Sequence, residues 1–98
     1  MKFVEATSWL KNNKSDSAFS TDRFETTADV ISAVRRLYAA GATRVDVRLA
    51  DEDDQHANTL VVRATEGNAN ELLSTILSLE PDEIHYSRGE SSWVLWWD

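Results

Sequence analysis

Apolar and polar positions along this chain fall into short blocks with two periods, one helical and one of two residues. Phe3, Val4, Ala6, Thr7 and Leu10 lie near one face of a helix, with Glu5, Ser8 and Lys11 elsewhere, so the spacing predicts an amphipathic helix over residues 2–12 with Trp9 at its edge. Residues 12–17 are polar and turn-prone. They lead into AFSTDRF, where Phe19 and Phe24 suit either a short edge strand or an irregular cover over the core. Thr26 with Asp29 three residues later forms a capping box, and Val30, Ile31, Val34, Leu37 and Tyr38 recur at helical spacing. That pattern predicts a helix over 27–40, ended by Gly41 in the left-handed conformation.

The period then changes to two. Residues 43–49, TRVDVRL, place apolar side chains at Val45, Val47 and Leu49 and charged ones at Arg44, Asp46 and Arg48, the signature of a strand with one buried and one wet face. A second β-rich run at 59–65 pairs with it as a hairpin around the charged loop 50–58. Leu72, Leu73, Ile76, Leu77 and Leu79 predict a helix over 69–79, opened by Asn68 with Glu71 and stopped by Pro81. A final hairpin over 84–97 turns at Arg88-Gly89-Glu90, where the glycine supplies a positive φ.

This order predicts one α+β domain over 1–98. It has two layers, with an antiparallel sheet of four strands and helices mainly on one face. If residues 18–24 pair as a fifth strand, the plan becomes a ferredoxin-like variant whose last strand is doubled into a hairpin.

Three of the four tryptophans fall in the closing stretch SSWVLWWD. In an extended strand Trp93, Leu95 and Trp97 point one way and Val94 and Trp96 the other, so both faces of this strand are apolar. One set enters the core beneath the helices, and the other shares the open face with the strand arginines. Burying one tryptophan is worth of order 4 to 5 kcal/mol gross, at about 25 cal/mol per Å². Val94 and Trp96 therefore call for a cover, either the N-terminal helix or a partner, and an apolar outer face on this strand suits homodimerisation or docking.

Charge narrows the partner. With 17 acidic and 10 basic residues the net charge is −7, which disfavours direct nucleic-acid binding and suits a basic protein partner. No cysteine is present, which excludes disulfides, thiolate metal sites and a cysteine nucleophile. Neither an apolar leader at the N-terminus nor a membrane-length apolar run is visible, so the expected location is the cytoplasm.

The candidates for chemistry are few. Asp51, Glu52, Asp53 and Asp54 with His56 resemble a calcium loop in composition, but the sixth position is His56 instead of glycine and the twelfth is Val62 instead of a bidentate Glu, so no metal is expected. Nucleophile-elbow, phosphate-loop, dinucleotide and zinc-protease motifs are all absent, and neither His56 nor His85 sits in a catalytic pattern. Arg44, Asp46 and Arg48, joined by Arg63 from the next strand, make either a row for gripping a carboxylate or phosphate, or simple cross-strand charge pairing.

The expected function is that of a non-enzymatic acidic protein that recognises another protein, in the manner of an inhibitor, immunity factor or adaptor, without a cofactor. Its contact surface combines Asp51 to Asp54 with Trp96, Val94, Arg44, Asp46, Arg48 and Arg63. Two alternatives stand beside it. One is a small-molecule or nucleotide binder using tryptophan stacking and the strand arginines, and the other is a carboxylate-based enzyme.

Overall fold

A computed structural model describes every residue except Met1, Ser20, Asp22, Asp54, Glu66 and Asn68. The elements run β1 (Lys2–Glu5), α1 (Ala6–Asn12), α2 (Thr27–Ala39), β2 (Ala42–Leu49), β3 (Thr59–Ala64), α3 (Ala69–Ser78), β4 (Glu83–Ser87) and β5 (Ser92–Trp96). All five strands form one antiparallel sheet in the order β1-β2-β3-β5-β4. β3 and β4 run the same way with β5 inserted between them, so α3 serves as the crossover of a split β-α-β unit. The architecture is the two-layer α+β arrangement expected from the element order.

All three helices contribute to one core. Ala6 and Leu10 of α1, Val30, Val34 and Leu37 of α2, and Leu72 and Ile76 of α3 pack with Val45, Val47, Leu49, Leu60, Val62, Trp93 and Leu95 from one face of the sheet. That face was legible from the alternation in β2. An irregular segment closes the core's end, where Trp97, fully buried, meets Phe24 at 5.2 Å and Phe19 at 6.2 Å between ring centroids in edge-to-face contacts.

The N-terminal helix is shorter than its periodicity implies. Residues 2–5 are a strand, paired Lys2 to Leu49 through Glu5 to Asp46, and the helix starts only at Ala6. The reason lies in Glu5, whose carboxylate accepts from the N–H groups of Thr7 at 3.0 Å and Ser8 at 2.9 Å and so caps a helix beginning after it. A capping glutamate is invisible to a search for Ser, Thr, Asp or Asn.

The fifth strand is thus β1, and among the described residues of 18–24 Phe19 makes an isolated bridge to Ala57. The ferredoxin-like variant, which required a strand there, is not the plan adopted. In the last hairpin Arg88–Glu90 form a turn of 3₁₀-helix, and Ser91, at φ 49°, takes the left-handed conformation expected of Gly89. Asn68, expected to cap α3, and Asp54 of the acidic loop lie outside the described residues. Among the described residues no helix is long and apolar enough to cross a membrane.

Glu5 also ties four elements together. Its Oε2 accepts from the Tyr38 hydroxyl at 2.7 Å, and the Tyr38 oxygen accepts from the Val45 N–H at 3.0 Å. Partial burial pushes the Glu5 carboxyl up, but the bonds from Thr7, Tyr38 and Ser8 outweigh it and hold the carboxyl at about 2. A depressed carboxyl stabilises the fold fully above its unfolded value of 4.5, and that contribution is lost as pH falls towards about 2. Glu5→Ala is therefore expected to cost about 1–2 kcal/mol at neutral pH. It should also flatten the acid limb of the stability curve, as read by urea unfolding over that pH range.

Candidate functional site

The helices occupy one side of the sheet and leave the other open. Strand registers arrange the open side in three rows. At the end nearest the acidic loop stand Phe3, Arg48, Thr59, Trp96 and Glu83; the middle row is Glu5, Asp46, Val61, Val94 and His85; and the far row is Arg44, Arg63, Ser92 and Ser87. Trp96, Val94, Arg44, Asp46, Arg48 and Arg63 thus share one face. A bulge at Thr43 shifts the register between Ala42 and Arg44, which lets Ala42 face the core while the arginines keep the outer side.

The rows differ in how tightly they are held. Arg44 Nε donates to Asp46 Oδ1 at 2.7 Å, and that carboxylate raises the guanidinium's pKa further. Asp46 is buried, so the pair is a rigid part of the surface. Arg63 lies directly opposite Arg44. Like charges placed opposite each other are unfavourable in a sheet, so the far row is a place where an anionic group gains from docking. Arg48 reaches Thr59 Oγ1 at 3.5 Å, and Thr59 in turn donates to Asn58 Oδ1 at 2.9 Å.

Trp96 and Val94 are partly buried and stand outside the core cluster, as does the buried Val61 beside them. Thr59, between Arg48 and Trp96, is only 1% exposed. Phe3, at the β1 edge of the same row, is 54% exposed. The apolar part of this face is therefore Trp96, Val94 and Val61, with Phe3 as an outlier two strands away. No helix covers any of it, because α1 packs into the core with Ala6 and Leu10.

The acidic loop is anchored beside the same end of the sheet, since it joins Leu49 to Thr59. Asp53 Oδ1 accepts from the Gln55 N–H at 2.9 Å and its Oδ2 lies 3.3 Å from His56 Nδ1. The Gln55 bond first, and His56 after it, lower the Asp53 pKa even though burial opposes them. Asp51 and Glu52 are exposed. The loop is tied back to the N-terminal segment by Asn13 Nδ2 donating to Gln55 O at 2.8 Å and by the Ala57 N–H donating to Ala18 O at 3.0 Å. Among the described residues no group of three or more His, Cys, Asp or Glu is placed to hold a metal ion.

Scale decides what this face can do. Along the strands the near and far rows are four residues apart, about 13 Å, and Arg48 and Trp96 are two strands apart, about 10 Å. Trp96 and the arginine pair Arg44 and Arg63 are thus too far apart to close on one small planar ligand. A hollow of about 870 Å³ lies elsewhere, lined by Phe19, Phe24, Glu25, His56 and Asp98 among others, and contains none of the strand arginines. Glu5 and Asp53 have lowered pKa values, the direction of carboxylates fixed in structural hydrogen bonds and the opposite of a general acid.

Two contributors were missed in the sequence. Val61 is hidden because Leu60, Val61 and Val62 are all apolar, though its parity with Arg63 places it outside. Phe3 was assigned to a helix face that does not exist. No protein-family model, curated protein or solved structure matches this chain, so its site is defined by its own geometry.

Proposed function

We propose that this chain is a non-enzymatic binding protein whose partner is another protein, docked on the open face of the sheet. The observation that carries this reading is a broad face that no helix covers, on which Trp96 shares the near row with Arg48, Val61 and Val94 stand in the middle row, and Arg44 and Arg63 lie in the far row. Tryptophan and arginine are the side chains most often responsible for binding energy at protein interfaces, and a spread of about 13 Å suits a macromolecular surface.

The partner is expected to bring opposite signs to the two ends. The acidic loop, with Asp51 and Glu52 exposed beside the Trp96 row, attracts a basic patch and speeds association. The Arg44 and Arg63 end receives a carboxylate. An inhibitor, immunity factor or adaptor works by such a surface and needs no cofactor.

Affinity capture from the native extract with the tagged full chain tests this. A partner retained by the wild type and lost with Trp96→Ala, while both proteins give the same near-ultraviolet circular dichroism, supports the reading. Identical captured sets for the two proteins would refute it.

A further inference from the structure

The sheet has two edges, and only one of them is blunted. β1 is four residues long, begins with Lys2 and ends with Glu5, whose carboxylate is engaged in capping α1. β4 is different. The Trp97 N–H donates to Asn58 O, which makes Thr59 and Trp96 a non-hydrogen-bonded pair and, by alternation, turns the backbone groups of Val94 towards β4. His85 is therefore bonded inward to β5, and the N–H and C=O groups of Ile84 and Tyr86 point out of the sheet.

Beside that open edge lies an uncharged groove of about 460 Å³ lined by Ala69, Asn70, Leu73, Ile84, Tyr86 and Trp93. Leu73, Tyr86 and, one helical turn on, Leu77 are 38%, 52% and 56% exposed, three of the four large hydrophobic side chains exposed among the described residues. In a chain of net charge −7, the groove itself presents no carboxylate to repel a second acidic copy.

The strand is also self-complementary. A two-fold axis through His85 sets Ile84 against Tyr86 of the second copy, apolar against apolar on the helix side, and those are the residues whose backbone groups point outward. The same register sets Glu83 against Ser87 and Asp82 against Arg88 of the second copy. Arg88 is the single Lys or Arg in residues 64–98, is exposed, and has no ion-pair partner among the described residues. Asp82 is exposed, and its Oδ2 accepts from the Asp98 N–H at 2.6 Å.

We propose that two copies of this chain join edge to edge through antiparallel pairing of β4, with Asp82 and Arg88 as reciprocal ion pairs at the two ends. Four backbone hydrogen bonds form between the Ile84 and Tyr86 positions, and the two α3 helices bring Leu73 and Leu77 together above them. The product is a continuous ten-stranded sheet with both open faces still available, so the dimer does not compete with the surface described under the proposed function.

Sedimentation equilibrium of the full chain tests the pairing. The wild type is expected to reach twice its monomer mass of 11.1 kDa, and the Ile84 and Tyr86 amides to gain protection from hydrogen exchange as concentration rises. Asp82→Arg and Arg88→Asp each place two like-charge contacts in the homodimer and should each weaken it at least about tenfold. Mixing the two variants recreates both ion pairs and should restore dimerisation as a heterodimer. A wild type that stays monomeric at its solubility limit overturns the proposal. So does a mixture no more associated than its components, or a dimer that dissociates on Trp96→Ala and ignores the charge reversals.

Discussion

Replacing Trp97 with alanine lowers the unfolding free energy by about 3–5 kcal/mol, the largest stability effect expected of any single substitution in this chain. Trp97 is the largest of the fully buried side chains, and the cavity left behind is walled by Phe19 and Phe24, whose own edge-to-face contacts to it disappear together. Its Nε1 donates to Leu79 O at 3.0 Å, and the same carbonyl accepts from Arg23 Nε at 3.0 Å. The substitution therefore loosens the end of α3 and the segment before α2 as well as the core. Because whole domains are stable by only about 5–15 kcal/mol, a loss of this size removes about a fifth or more of the total. Urea unfolding followed by far-ultraviolet circular dichroism measures it as a lower midpoint. Trp97→Phe should recover most of the packing and still lack the hydrogen bond, for a residual cost of about 1 kcal/mol. A Trp97→Ala midpoint equal to that of the wild type would mean that this corner contributes nothing to the fold.

That the last two tryptophans differ so sharply was readable from parity alone. The strict alternation of TRVDVRL assigns β2 its faces, and the same rule sorts Trp93, Leu95 and Trp97 from Val94 and Trp96. The helices over 27–40 and 69–79 were readable because their apolar residues recur at 3.6 and their stops, Gly41 and Pro81, are explicit. The failures share a physical cause. β1 is a four-residue strand whose apolar residues, Phe3 and Val4, are adjacent, so the segment fits a helical face as well as a strand, and what decides is a side-chain cap from Glu5 that the pattern does not encode.

Pairing partners are likewise non-local. Nothing in residues 2–5 announces that they lie beside Arg48 and Asp46, and the join between β3 and β5 spans the whole of α3 and β4. The open edge of β4 was hidden for the same reason, since an edge is a property of strand order. Its exposed Leu73, Leu77 and Tyr86 look in the sequence like ordinary core residues of a helix and a strand.

Trp96→Ala is the contrasting experiment, and the expected result is loss of partner binding with the fold intact. Trp96 stands in the row with Arg48 and Thr59 on the face that no helix covers and outside the core cluster, so its removal is expected to leave the packing of Trp93, Leu95 and Trp97 intact. The cost to folding is then expected to be about 1–2 kcal/mol, well below that of Trp97→Ala because Trp96 is partly buried and stands outside the core cluster. The cost to binding is expected to be about 2 kcal/mol or more, a loss of roughly 30-fold in affinity, as for an aromatic anchor at the centre of an interface. The change should appear mainly as faster dissociation. Charge reversal of Asp51 and Glu52 should instead slow association and reduce its dependence on salt, because those side chains act at a distance. Surface plasmon resonance against the captured partner separates the two effects, with urea unfolding of the same variants beside it. If Trp96→Ala abolishes cooperative unfolding, the tryptophan is a structural group and the open face loses its anchor. If binding survives it unchanged, the partner docks elsewhere.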